Sequence, residues 1–278
     1  MDAAHLPPQG LTEQTAPGKS SPPCLLLVRP DRGVRGSLAG IEPEPADPLP
    51  PVRAVWLGRV HLLSVVGLSA FVVAILVLHG VRADLNPAEH TISEYSLGSY
   101  GWLMRAAFSA LAVGALATAA SFFLSRGPSG KWQLVGPLLL VGTAVGSCLD
   151  AAFNTDQLGV AETVHGTVHG VGTAVFVFAL PAAAFVFGSD FVRNSTPTLT
   201  ARLVLVVAAA QLGAIFLFEM SPMTTRGWAE RLGTVLAVVS LGLLQVLSRT
   251  NERAARTWTA AQHSSAGSCL QSFAGLDE

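Results

Sequence analysis

DAAFNTDQLGVAETVHGTVH, residues 150–169, joins two long apolar runs and holds two aspartates, a glutamate and two histidines in a chain of which only 13% is charged. Ordinary soluble domains carry about 25% charged residues. Here half of the 278 residues are hydrophobic and the mean hydropathy is +0.50, which points to lipid as the solvent. The runs on either side, 134–153 and 164–187, are long enough to cross a bilayer. A short polar link between two such runs reads as a loop at a membrane surface, and the rest of the chain repeats the pattern.

Working outward, further apolar runs cover 57–78, 103–124, 203–218 and 232–247. A helix rises about 1.5 Å per residue, so roughly 20 residues match a hydrocarbon core of about 30 Å. The last two runs are on the short side. Each run is apolar on all faces, unlike the one-sided stripe of a soluble helix. The expected fold is all-α, a bundle of six transmembrane helices over 55–249, with a disordered Pro-rich tail at 1–54 and a flexible, cytoplasmic polar tail at 250–278. The N-terminal segment has no apolar period and cannot bury enough surface to offset its ordering entropy. Its apolar stretch at 24–28 is too short for a signal-peptide core, so no cleaved signal is expected.

Basic residues near the span ends set the orientation. Arg53, Arg59, Arg126, Lys131, Arg193, Arg202, Arg249, Arg253 and Arg256 fall on one side, against Arg82, Arg105, Arg226 and Arg231 on the other. Both termini are therefore expected in the cytoplasm, in a multi-pass protein of the cytoplasmic membrane. A net charge of -1 gives no basic field for nucleic acid. Cys24, Cys148 and Cys269 form neither a disulfide framework nor a metal spacing. Small-residue steps at Gly142/Gly146, Gly166/Gly170 and Ala110/Gly114 point to close helix packing within one chain, in a monomer or weak homo-oligomer. Pro181 removes one backbone donor from the fourth span.

In this topology the unusual polar residues gather on the outer side. The candidate pocket is Ser93, Glu94, Asp150, Asn154, Asp156, His169, Glu230 and Arg231. Asp150 and Asn154 are four apart, as are His165 and His169, so each pair shares a face if helical. Two readings follow. Asp150, His165 and His169 supply ligand types for a catalytic zinc with an open water position, Ser93 or His90 positioning a substrate; alternatively, the histidines hydrogen-bond carboxylates or carbonyls and hold helices together. Arg231 offers a fork suited to a carboxylate such as Asp150 or Glu94. Gln211, the lone amide of the fifth span, needs a partner.

The segments HTISEYSLGSYGWLMRAAF at 90–108, the 150–156 stretch, GTVHG at 166–170 and GWAERLG at 227–233 together resemble the prokaryotic membrane family catalogued as domain of unknown function number 998. The resemblance covers roughly 58–247. It implies six membrane helices without an established activity, with Ser93, Gly98, Gly101, Asp156, Gly166, His169, Glu230 and Arg231 at the family's positions. His165 stands outside that pattern. A thinner likeness joins Ser93, Asp150, His165 and His169 to the zinc-dependent membrane hydrolases that include alkaline ceramidases and adiponectin receptors, although those have a seventh span and a late histidine pair. Three functions stay open: a protein binding a small ligand or lipid, or assisting a partner, through an outer polar pocket; a metal-dependent hydrolase of a lipid or amide; and a transporter. Against the last, no clear inverted repeat is visible.

Overall fold

The computed structural model describes residues 51–125, 134–157, 159–194 and 199–274, with side chains throughout except at 51, 194, 251 and 253–274. Residues 1–50, Arg126, Lys131 and Leu158 lie outside the described residues, and with them the expectation for most of the N-terminal tail. Six helices follow in order: α1 Pro51–Val81, α2 Gly101–Ser125, α3 Val135–Ala152, α4 Val164–Asn194, α5 Leu199–Met220 and α6 Arg226–Ala274. A 3-10 turn, Ser93–Ser96, lies between α1 and α2. All six helices contain a stretch long and apolar enough to span a membrane. The protein is an all-α, multi-pass membrane bundle.

Apolar composition sets the middle of each helix, but the ends run past the apolar runs. The short fifth and sixth runs become full spans, Leu199–Met220 and Arg226–Thr250, because Thr200, Arg202 and Glu219 at the rims of α5, and Arg226, Glu230 and Arg231 in α6, are helical as well. Past Thr250, α6 continues as backbone helix to Ala274. Within α6, the residues as far as Ala260 belong to the bundle and those from Ala261 to Ala274 to a second compact unit.

Backbones approach where side chains are absent. A Cβ on Gly67 would lie 2.6 Å from the Ala110 carbonyl oxygen and 2.9 Å from the Gly114 nitrogen, so α1 and α2 cross on these residues. A Cβ on Gly146 would meet the Gly172 carbonyl at 2.5 Å, which fixes the α3–α4 crossing. The Gly142/Gly146 and Ala110/Gly114 steps thus pack within the chain. Gly170 has nothing within 4 Å of its missing Cβ and plays no such part. Near the opposite end of α2 and α4, Phe122 and Phe187 stack at 3.8 Å between ring centroids, with Gly136 of α3 against the Phe187 ring. The most buried span is α2 and the least is α5. Outward positions such as Leu62, Leu76, Val206 and Phe216 are large, apolar and exposed, as a lipid-facing surface requires.

A buried polar chain links α1, α2 and α6. The His61 ring Nδ1 meets Gln245 Oε1 at 2.7 Å, and Gln245 Nε2 donates to Thr118 Oγ1 at 2.8 Å. Thr118 Oγ1 donates to the Gly114 carbonyl at 2.8 Å, so Ser64 Oγ, 2.9 Å away, is the donor of that pair. Ser248 and Ser121 pair at 3.1 Å beside it. With no water in the hydrocarbon region, such groups must find partners on neighbouring helices.

Candidate functional site

The loop from Arg82 to Tyr100 folds over the start of α6. Arg82 grips both Asp84 oxygens, Nε to Oδ1 and Nη2 to Oδ2 each at 2.9 Å, and this guanidinium holds the Asp84 carboxyl below its usual range. Glu94 turns inward, its Oε2 accepting from the Thr91 backbone N–H at 2.9 Å and from His90 Nδ1 at 3.1 Å. Glu230 reaches across from α6 to accept from the Ile92 backbone N–H, with Ser93 Oγ at 3.5 Å from its other oxygen. Gly227 makes the approach possible: a Cβ there would collide with the Pro87 and His90 carbonyls, and its N–H donates to the Ala88 carbonyl at 2.9 Å.

Arg231, which is buried, completes this junction. Its Nη1 donates to the His90 carbonyl at 2.8 Å and the Gly227 carbonyl at 2.9 Å, Nη2 to the Tyr95 hydroxyl at 3.0 Å, and Nε to His79 Nε2 at 2.9 Å. His79 Nδ1 faces the Ile75 carbonyl at 2.8 Å. A ring nitrogen facing a guanidinium must be the acceptor, so His79 is the neutral tautomer with its proton on Nδ1. The expected tie between the first loop and α6 exists, but these contacts are carbonyls, a hydroxyl and an imidazole. Asp150, one of the carboxylates suggested for Arg231, is bonded elsewhere.

Asp156 serves the start of α4. Its Oδ2 accepts from the Thr163 backbone N–H and its Oδ1 from the Thr163 hydroxyl, both at 2.7 Å. Thr163 Oγ1 in turn accepts from the Gly166 N–H at 3.2 Å, an N-cap arrangement that satisfies otherwise orphan donors. Gly166 is required because a Cβ would overlap the Asp156 carboxylate. The Thr163 N–H, then its hydroxyl, hold the Asp156 carboxyl below its usual range.

Asp150 and His169 are both buried. Asp150 Oδ1 accepts from Thr173 Oγ1 at 3.0 Å and lies 3.7 Å from His169 Nδ1. The closer partner of that nitrogen is the Phe153 carbonyl at 2.9 Å, so Nδ1 carries a proton. His169 Nε2 is buried with no partner among the described residues. Gly172 admits the pair, since a Cβ there would stand 2.8 Å from Asp150 Oδ1.

Three further expectations concern Asn154, the group Asp150, His165 and His169, and Gln211. Asn154 does not share a helical face with Asp150, because α3 ends at Ala152 and Phe153 is extended, φ -118 and ψ 131; its Oδ1 is buried without a partner among the described residues. Asp150, His165 and His169 do not assemble a metal site. His165 is exposed with its ring on Phe153 at 5.4 Å, and no three of His, Cys, Asp and Glu among the described residues come together as a metal-binding group. His165 thus stands apart from the Asp150 and His169 pair. Gln211 has no hydrogen-bond partner for Oε1 among the described residues, although it is buried.

What the fold does bring together is a cavity of about 600 Å³. Ser93, Asp150, Asp156, His169 and Glu230 line it, and Glu94, Asn154 and Arg231 are not among its lining residues. It extends from Thr91 and Thr155 in the loops to Gln211 and Ala237 in mid-helix, with Phe71, Phe108, Phe176 and Phe178 as apolar wall. Arg226 also lines it, its guanidinium 4.3 Å over the Phe218 ring and its Nε buried without a partner among the described residues. Sequence reasoning missed Thr173, His79 and the place of Arg226. Thr173 was within reach, since 165, 169 and 173 make a polar stripe at helical spacing; His79 and the Phe wall leave no local signal.

No curated protein and no solved structure matches the chain. Residues 65–247 match the model of the family described as "Protein of unknown function (DUF998)", and the chain belongs to that family.

Proposed function

We propose that this membrane protein binds an amphipathic small molecule or lipid in the cavity between its helices. One observation carries the reading. His169 and Gln211 both line this space, and His169 Nε2 and Gln211 Oε1 are buried without a partner among the described residues. An unmet polar atom inside a membrane bundle costs several kcal/mol unless water or a ligand reaches it. The aromatic and aliphatic wall, with a few polar groups at one end, is the composition of a ligand site. An assisting role toward a partner protein has no comparable feature in its support.

The basic residues at the α1 N-terminal end, Arg53 and Arg59, together with Arg193, Arg202 and Arg249, outnumber those at the loop end. By that asymmetry both termini lie in the cytoplasm of a cell with this protein in its cytoplasmic membrane, and the cavity opens outward.

Native mass spectrometry of the protein released from nanodiscs tests the binding reading. A one-to-one adduct of small-molecule or lipid mass is expected. The cavity-filling change Ala174→Phe should remove it while the thermal transition stays cooperative. No adduct, or adducts indifferent to that change, contradicts the reading.

A further inference from the structure

Resting on that reading, we infer that the head group held in the cavity is a hydrogen-bond-donating cation, an ammonium carried on an apolar body. Charge points first in this direction. Asp150, Asp156, Glu219 and Glu230 line the cavity, against the guanidinium of Arg226. Arg226 opens α6, one helical turn outward from Glu230 on the same face, and is stacked on Phe218. Deeper, no lysine or arginine among the described residues bonds Asp150 or Glu230, and Arg231, whose charge also acts on Glu230, spends its donors on His79, His90, Gly227 and Tyr95.

Hydrogen-bond direction supplies the second, independent argument. The Phe153 carbonyl accepts a hydrogen bond from His169 Nδ1–H, so in the neutral ring Nε2 carries a lone pair. It is buried and unanswered among the described residues. Asp150 uses Oδ1 on Thr173, leaving Oδ2 open, and Glu230 uses Oε2 on Ile92 while Ser93 Oγ stands at a marginal 3.5 Å from Oε1. The open positions in the inner part of the cavity are acceptors, so the matching group is a donor. An ammonium has several N–H bonds and a positive charge, and both carboxylates favour it. Phe108, whose ring is 6.0 Å from that of His169, and Phe71 and Phe176 supply ring faces of the kind that attract cations. The apolar body then follows the wall of Phe176, Val177 and Phe178.

The test uses the full chain in nanodiscs with three probes of equal tail length: decylamine, decanol and decanoate. Occupancy is read by native mass spectrometry and by the shift in melting temperature. Decylamine should bind one-to-one and roughly tenfold or more tightly than decanol, a charge-assisted hydrogen bond being the difference. Asp150→Asn should abolish that preference, bringing the ratio of decylamine to decanol affinity close to one. Glu230→Gln, checked for a cooperative melt, serves the same purpose if Asp150→Asn does not fold. Equal binding of all three probes, a preference for decanoate, or a decylamine preference that survives both variants overturns the cationic assignment and leaves the cavity as a general amphiphile site. No probe binding at all overturns the cavity reading as well.

Discussion

Arg231 holds four acceptors from α1, α6 and the first loop with one guanidinium. Lysine has three donors on a single nitrogen and cannot reproduce the planar fork. Arg231→Met should lower stability by about 3 kcal/mol, and Arg231→Lys should recover little of it, as read by thermal melting in mild detergent. At the other link, Gly166→Ala places a methyl on the Asp156 carboxylate and should cost about 1–3 kcal/mol. In an Asp156→Ala background that cost should largely vanish. Asp156 also sets a pH dependence. Its folded value lies below the ordinary one near 4, so its stabilising contribution is fully present above that range and is lost as pH falls through the depressed value. The stability difference between wild type and Asp156→Ala should therefore shrink in strongly acidic buffer, and a pH series of melts checks it.

Among the elements, α1, α2 and α6 are joined by the His61–Gln245–Thr118–Ser64 chain. Gln245→Leu leaves the His61 donor and the Thr118 acceptor without this partner. A loss of about 1 kcal/mol is expected, in keeping with interhelical hydrogen bonds in membranes, and steric trapping in bilayers measures it. This network escapes a reading of the sequence because His61, Ser64, Thr118 and Gln245 are scattered singly through apolar runs, and only the crossing angles bring them level. Asn154 shows the reverse limit: its spacing from Asp150 suggests a shared face, and the backbone leaves the helix at Phe153 first. By contrast, the six spans are legible in composition, since uninterrupted apolar length leaves a chain few alternatives. Gly114 and Gly146 were legible for a related reason, their lack of a side chain being itself the signal for close approach.

Across the whole molecule, the even number of spans carries loops 82–100 and 153–163 and the start of α6 to one end of the bundle, where the cavity lies. That gathering was legible from topology, and Ser93, Asp150, Asp156, His169 and Glu230 were named on that basis. Which of the candidates line the cavity was not, because Glu94 and Arg231 are as polar and as near in sequence yet spend their hydrogen bonds on the loop. The claim beneath the whole account is that these three segments share one side of the membrane. Side-specific labelling tests it most directly, using single cysteines at Ser99, Gly159, Met223 and Thr200 in a chain freed of Cys24, Cys148 and Cys269, with a membrane-impermeant maleimide. The first three sites should label from one side and Thr200 only from the other; labelling of Ser99 and Gly159 from opposite sides would contradict it.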